Sequence, residues 1–66
     1  MKIRINGKER STGKADNLIE LAKDMKLNLK HIVIEHNLNI IPRDRWGEVS
    51  LTEGDSIEIV NFVGGG

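Results

Sequence analysis

The amino-acid sequence predicts an α+β fold, one sheet with a single helix packed across one of its faces. Three observations predict it. Both ends of the chain alternate polar and apolar residues, Lys2 to Asn6 at one end and Ser56 to Val63 at the other, with the period of two that marks a half-buried strand. Between them lies one stripe at helical spacing, Leu18, Leu21, Ala22 and Met25, at i, i+3, i+4 and i+7. With 66 residues there is room for one domain, so a single helix serves the whole sheet and covers one face of it.

The elements follow in order. Ile3 and Ile5 face inward from the first strand, and Asn6-Gly7 supplies two residues that tolerate positive φ, as a type I′ hairpin turn requires. Lys8 to Thr12 returns as an edge strand that carries no large apolar residue; Lys8, Glu9 and Arg10 keep that edge soluble. After a polar connection from Gly13 to Asp16, the helix begins near Asn17, whose amide caps free N–H groups while Glu20 completes a capping-box-like pattern. Lys23 and Lys26 lie toward its C-terminal end, where the helix dipole favours positive charge. Leu27 and Leu29 belong to the exit loop. His31 to His36 reads as a second apolar strand, Asn37-Leu38-Asn39 as a turn, and Ile40-Ile41 as a short strand that Pro42 ends. Arg43 to Gly47 is expected to be irregular and anchored by Trp46, Val49 and Leu51 to form a brief extended piece, and Glu53-Gly54-Asp55 to turn into the last strand. The expected core is the helix stripe with Ile3, Ile5, Ile32, Ile34, Ile57 and Ile59.

Composition narrows the function. A chain this short buries only about 60% of the surface its unfolded form exposes, so its core is thin. It has no cysteine, hence no disulfide to reinforce that core and none of the usual thiolate zinc ligands. Ten Lys and Arg balance ten Asp and Glu, which argues against nucleic acid as the main partner. No apolar run approaches the roughly 20 residues that span a bilayer, and no signal-peptide pattern opens the chain. The expectation is a cytoplasmic protein that is not an enzyme on its own.

The residue types that carry chemistry are sparse. His31 and His36, five apart on a strand, point to opposite faces and cannot jointly hold a metal, which favours two surface histidines at the strand ends and no metal site. The carboxylates are scattered among basic neighbours, and none pairs in an apolar pocket that would separate two pKa values. Asp55 reads as a turn stabiliser. Trp46 reads more as a plug over one end of the sheet than as a stacking platform, since no second aromatic lies near it to hold bases. On the last strand Ile57 and Ile59 fill inward positions, leaving Val60 and Phe62 on the other face with Glu58. They either form an exposed partner surface or pack beneath the Pro42–Trp46 segment.

The C-terminus stands apart. Gly64-Gly65-Gly66 follows an apolar strand. Glycine has no Cβ, so an extended glycine tail can thread a channel too narrow for other residues. The carboxylate of Gly66 is then an unhindered nucleophile toward the α-phosphate of ATP, and the resulting acyl-adenylate is open to sulfur or nitrogen. A flexible tail with no role is the bland alternative. With no cysteine in the chain, any sulfur it carried through an acyl group would sit on Gly66.

At these residues the chain resembles the ThiS-type sulfur carriers of thiazole formation in thiamin biosynthesis. The resemblance runs through Asn6-Gly7, Asn17-Leu18-Ile19-Glu20-Leu21, Glu35-His36-Asn37, Ile40-Ile41-Pro42, Arg45-Trp46, the Gly54 to Val60 stretch and Phe62-Val63-Gly64-Gly65-Gly66. It implies a β-grasp, ubiquitin-like fold over residues 1–63, a mixed sheet with one helix across it, followed by a flexible glycine tail at 64–66. It also implies that a ThiF-like adenylyltransferase activates Gly66 with ATP and Mg²⁺, neither of them bound by this chain. A sulfur donor such as a cysteine desulfurase then forms a thiocarboxylate, and a ThiG-like thiazole synthase takes the sulfur. Gly65 and Gly66 carry the family's function, Gly64 adds tail, and Val60, Phe62 and Val63 are docking candidates. Since the sequence already ends in glycine, no processing protease is expected. The rival readings are a MoaD-like carrier for molybdopterin, a ubiquitin-like modifier, and a TGS-like binding module whose tail is idle.

Overall fold

In the computed structural model, which describes residues 1–62, the two alternating segments lie side by side. β1 (Lys2–Ile5) and β5 (Ser56–Asn61) run parallel, with Ile5 opposite Ile57. All other pairings are antiparallel: β1 with β2 (Lys8–Ser11), β3 (Ile32–His36) with β4 (Asn39–Ile41), and β3 with β5. The sheet is therefore mixed, in the order β2-β1-β5-β3-β4, and the last of the described strands is its middle strand. Each hairpin turns on two residues of positive φ, Asn6 (52°) and Gly7 (83°) in the first, Asn37 (49°) and Leu38 (75°) in the second. This is the type I′ geometry whose twist matches that of the flanking strands.

One helix, α1 (Leu18–Asp24), crosses the inner face. Asn17 caps it by accepting from the Glu20 N–H at 2.9 Å, and the Glu20 carboxylate accepts from the Asp16 N–H at 2.8 Å, a capping box reaching one residue further back than usual. The helix stops after two turns. The Lys26 N–H bonds to the Lys23 carbonyl and the Leu27 N–H to the Ala22 carbonyl, a Schellman arrangement in which Lys26, at φ 58°, takes the left-handed position usually given to glycine. This early stop corrects one expectation: Met25 is the C-cap and is only half-buried against the core.

The core lies between helix and sheet. Ile3, Ile5, Leu18, Leu21, Ala22, Ile32, Ile34, Ile57 and Ile59 are buried as expected, and Ala15, Leu51 and Trp46 join them. Residues 43–48 form a 3-10 helix where an irregular loop was expected. It delivers Trp46 into the core at 1% exposure, with the indole N–H donating to the Ile41 carbonyl at 2.9 Å and the Arg43 guanidinium 5.9 Å from the ring centroid. Burying an indole of this kind contributes about 4–6 kcal/mol on area bookkeeping, an upper estimate. Trp46 is thus the plug of the fold and offers no stacking surface. The extended piece around Val49 and Leu51 is tied to the helix start by a single bridge between Asn17 and Ser50 and by the Leu51 N–H to the Asp16 carbonyl at 2.9 Å.

Candidate functional site

The outer face of the sheet, opposite the helix, holds the candidate residues. Along β5 the alternation sends Ile57 and Ile59 inward and Glu58 and Val60 outward, with Phe62 next in the same outward phase. Val60 is 59% and Phe62 37% exposed. Val33 stands directly across from Val60 on β3, and Ile40 on β4 is exposed beside them. The alternative in which Val60 and Phe62 pack beneath the Pro42–Trp46 segment does not hold: that segment lies on the helix side, where Trp46 enters the core and Gly47 approaches Ile19. Phe62 has one aromatic neighbour, the His31 ring, with centroids 6.2 Å apart, and its N–H donates to the His31 carbonyl at 2.8 Å.

β5 is held by side chains as well as by its ladders. The Asn6 amide reaches across the sheet, its Oδ1 accepting from the Ile59 N–H at 2.8 Å and its Nδ2 donating to the Ile59 carbonyl at 3.2 Å. It extends the parallel β1–β5 ladder beyond the point where the β1 backbone turns away. Asn37, the matching residue of the other hairpin, bonds the start of β5: its Oδ1 accepts from the Ser56 N–H at 2.9 Å, and its own N–H donates to the Ser56 carbonyl at 2.8 Å. Each hairpin turn thus donates an asparagine to the central strand. Both asparagines tolerate the left-handed backbone of a turn, and each has an amide that mimics a peptide unit.

Asp55 completes this arrangement. Its carboxylate, 7% exposed, accepts from the Thr52 N–H at 2.9 Å, from Asn37 Nδ2 at 3.1 Å and from His36 Nε2 at 2.8 Å. Burial works against its charge, but the hydrogen bonds from His36, Thr52 and Asn37, with the attraction of the His36 ring, outweigh it and hold the carboxyl below the usual carboxylate range. The turn-stabilising role expected for Asp55 is therefore present and larger than expected. It corrects the reading of His36, which is a partly buried partner of Asp55 and not a free surface histidine. His31 is exposed.

The structure brings Val60 and Phe62 onto one face, and it keeps His31 and His36 apart. Val63, Gly64, Gly65 and Gly66 lie outside the described residues. Among the described residues no three His, Asp or Glu side chains gather to hold a metal ion, and no helix is long and apolar enough to cross a membrane. The asparagine pair was missed in the sequence because each residue already had an explanation as a turn residue; the signal was that both hairpins use Asn in the first turn position.

A mixed five-stranded sheet crossed by one helix, with β1 and β5 parallel at its centre, is the β-grasp architecture. The crystal structure of the thiamine biosynthesis protein ThiS from Geobacter metallireducens superposes on it with a TM-score of 0.84 over the full length of both chains, at 28% identity. The ThiS family model matches residues 3–66, and this chain belongs to the ThiS family. It is 40% identical over 65 residues to the sulfur carrier protein ThiS of Bacillus subtilis, covering 97% of this chain and 98% of that one. It is also 35% identical over all its 66 residues to a thiazole synthase of Paramagnetospirillum magneticum, of which it spans 20%.

Proposed function

We propose that this chain is a sulfur carrier for thiazole formation in thiamin biosynthesis, working in the cytoplasm as a substrate of its partner enzymes and not as a catalyst. The observation that carries this reading is the match to a sulfur carrier protein over nearly the whole of both chains. In this reading the carboxylate of Gly66 attacks the α-phosphate of ATP on a ThiF-like adenylyltransferase, with Mg²⁺ bound there, and pyrophosphate leaves. The terminal sulfur of a persulfide, such as one on a cysteine desulfurase, attacks the acyl carbon and AMP leaves. A thiol then cleaves the S–S bond, leaving a thiocarboxylate whose sulfur passes to thiazole synthase.

The geometry supports the reading in a specific way. Val60 and Phe62 sit on an uncovered face at the end of the strand that leads to Gly64, Gly65 and Gly66, so a partner that grips this face holds the chain next to the reactive end. Val63 extends that docking segment. The strand itself is anchored by Asn6 and Asn37, which gives the partner a fixed base. The match to part of a thiazole synthase supports the synthase as one of the partners.

The test is the intact mass of the protein after incubation with the adenylyltransferase, ATP, Mg²⁺ and a persulfide donor. The expected result is exchange of one oxygen for sulfur at Gly66, reversed when thiazole synthase and its substrates are added. An unchanged C-terminus with partners shown to be active refutes the carrier reading. Phe62→Ala is expected to weaken partner binding about thirtyfold or more, as for an aromatic anchor, while loss of its partly buried ring lowers folding stability by only about 1 kcal/mol. Equal losses of both place Phe62 in the core.

A further inference from the structure

Glu35 on β3 and Glu58 on β5 stand directly opposite each other. Both are in outward phase, since the neighbouring pair Ile34 and Ile59 is buried. Residues so placed have Cβ atoms about 5 Å apart, and like charges there destabilise a sheet. The ion pairs among the described residues are Lys2–Glu9, His36–Asp55 and Arg45–Glu48, so neither glutamate is ion-paired; Arg4, opposite Ser56 on the same face, turns its guanidinium to the Gly7 carbonyl at 3.2 Å. Ile40 lies opposite Glu35 on β4, and Val33 and Val60 form the next row. Two carboxylates that repel each other are therefore set into the exposed apolar face around Val60.

We propose that Glu35 and Glu58 receive an arginine side chain of thiazole synthase, with Ile40, Val33 and Val60 packing around it. This rests on the carrier reading above and names what that face recognises. A planar guanidinium presents two donor edges and can bridge two carboxylates at this spacing, and apolar neighbours exclude water from the pair, which strengthens it. The synthase is the partner chosen because segments matching the whole of this chain form a fifth of the length of two thiazole synthases, so carrier-like and synthase portions share one polypeptide there. In the free protein the arrangement costs stability, and the synthase's cation relieves that cost on docking.

The test measures two quantities that move in opposite directions. Titration of the protein against its cognate thiazole synthase at low salt gives a Kd for the wild type, Glu35→Gln and Glu58→Gln, with Asp24→Asn on the helix as a charge-matched control. Each glutamine variant is expected to bind about tenfold more weakly, as when one partner of an interfacial charge pair is truncated, and to melt about 1–4 °C higher in isolation because the repulsion is gone. Added salt should weaken the wild type more than the variants. Unchanged Kd values, a loss equalled by Asp24→Asn, a lower melting temperature, or a loss seen only with the adenylyltransferase each overturns the proposal and leaves the carrier reading standing. A wild type that does not bind the synthase overturns both.

Discussion

Replacing Asn6 separates two contributions that the structure places on one residue. Asn6→Gly keeps a residue suited to φ 52° and removes the two hydrogen bonds to the Ile59 backbone. Ile59 is buried, so its N–H and C=O lose their partners where water reaches poorly, and an orphaned group of this kind costs about 1–3 kcal/mol. Partial hydration at the sheet margin brings the expected loss to about 2–3 kcal/mol for the pair. Asn6→Ala loses the same bonds and adds a left-handed Cβ, about 1 kcal/mol more. A chain of this length has a total stability of about 3–10 kcal/mol, so Asn6→Gly should melt roughly 10–20 °C lower, and Asn6→Ala about 4–8 °C lower still. Urea titration gives the free energies, and hydrogen exchange at the Ile59 amide gives the local readout. If Asn6→Gly lies within about 0.5 kcal/mol of the wild type with Ile59 still protected, the side-chain ladder contributes nothing and the reasoning fails.

Two further outcomes follow from the same geometry. Asp55 is held below the ordinary carboxylate range, so its contribution is fully present above the unfolded value near 3.9 and is lost as pH falls through the lower folded value; Asp55→Asn should lower stability at neutral pH by about 1–3 kcal/mol and flatten the acid limb of a stability–pH curve. Leu38 sits at φ 75° with 87% of its surface exposed, so Leu38→Gly should stabilise the protein by about 0.5–1 kcal/mol by relieving the left-handed backbone, measured by the shift in urea midpoint.

The parts of the fold legible in the sequence are those governed by local rules. Period-two alternation placed β1 and β5, Asn6-Gly7 placed the first turn, and the Asn17/Glu20 pattern placed the helix start, because each depends on neighbours within a few residues. What escaped depends on distant partners. Trp46 has no periodic company, so nothing nearby indicates how completely it is buried, and Ala15 and Leu51 join the core from loops without a stripe. His36 meets Asp55 across 19 positions of sequence, which no local pattern encodes. The outward phase of Val60 and Phe62 was readable, but whether another layer covered them depended on which side of the sheet the 43–48 segment would take. The asparagines illustrate the same limit: their turn role is local, while their bonds to β5 span 53 and 19 positions.

The strand order carries a consequence for how the molecule comes to be folded. In the sequence β2-β1-β5-β3-β4, the first hairpin and the second are not hydrogen-bonded neighbours; β5 is the seam that joins them. Until that strand is in place, β1 and β3 each present an open edge, and two hairpins of this size are marginal alone. During synthesis β5 is the last of the described strands to emerge, so the sheet closes only after β1 to β4 have all been made. Closure must then bring together residues as far apart as Asn6 and Ile59, which places the rate under the control of non-local contacts. The same event that completes the core also brings Val60 to its place beside Val33. Before β5 is in place, the row that Val33 and Val60 form on the outer face does not exist.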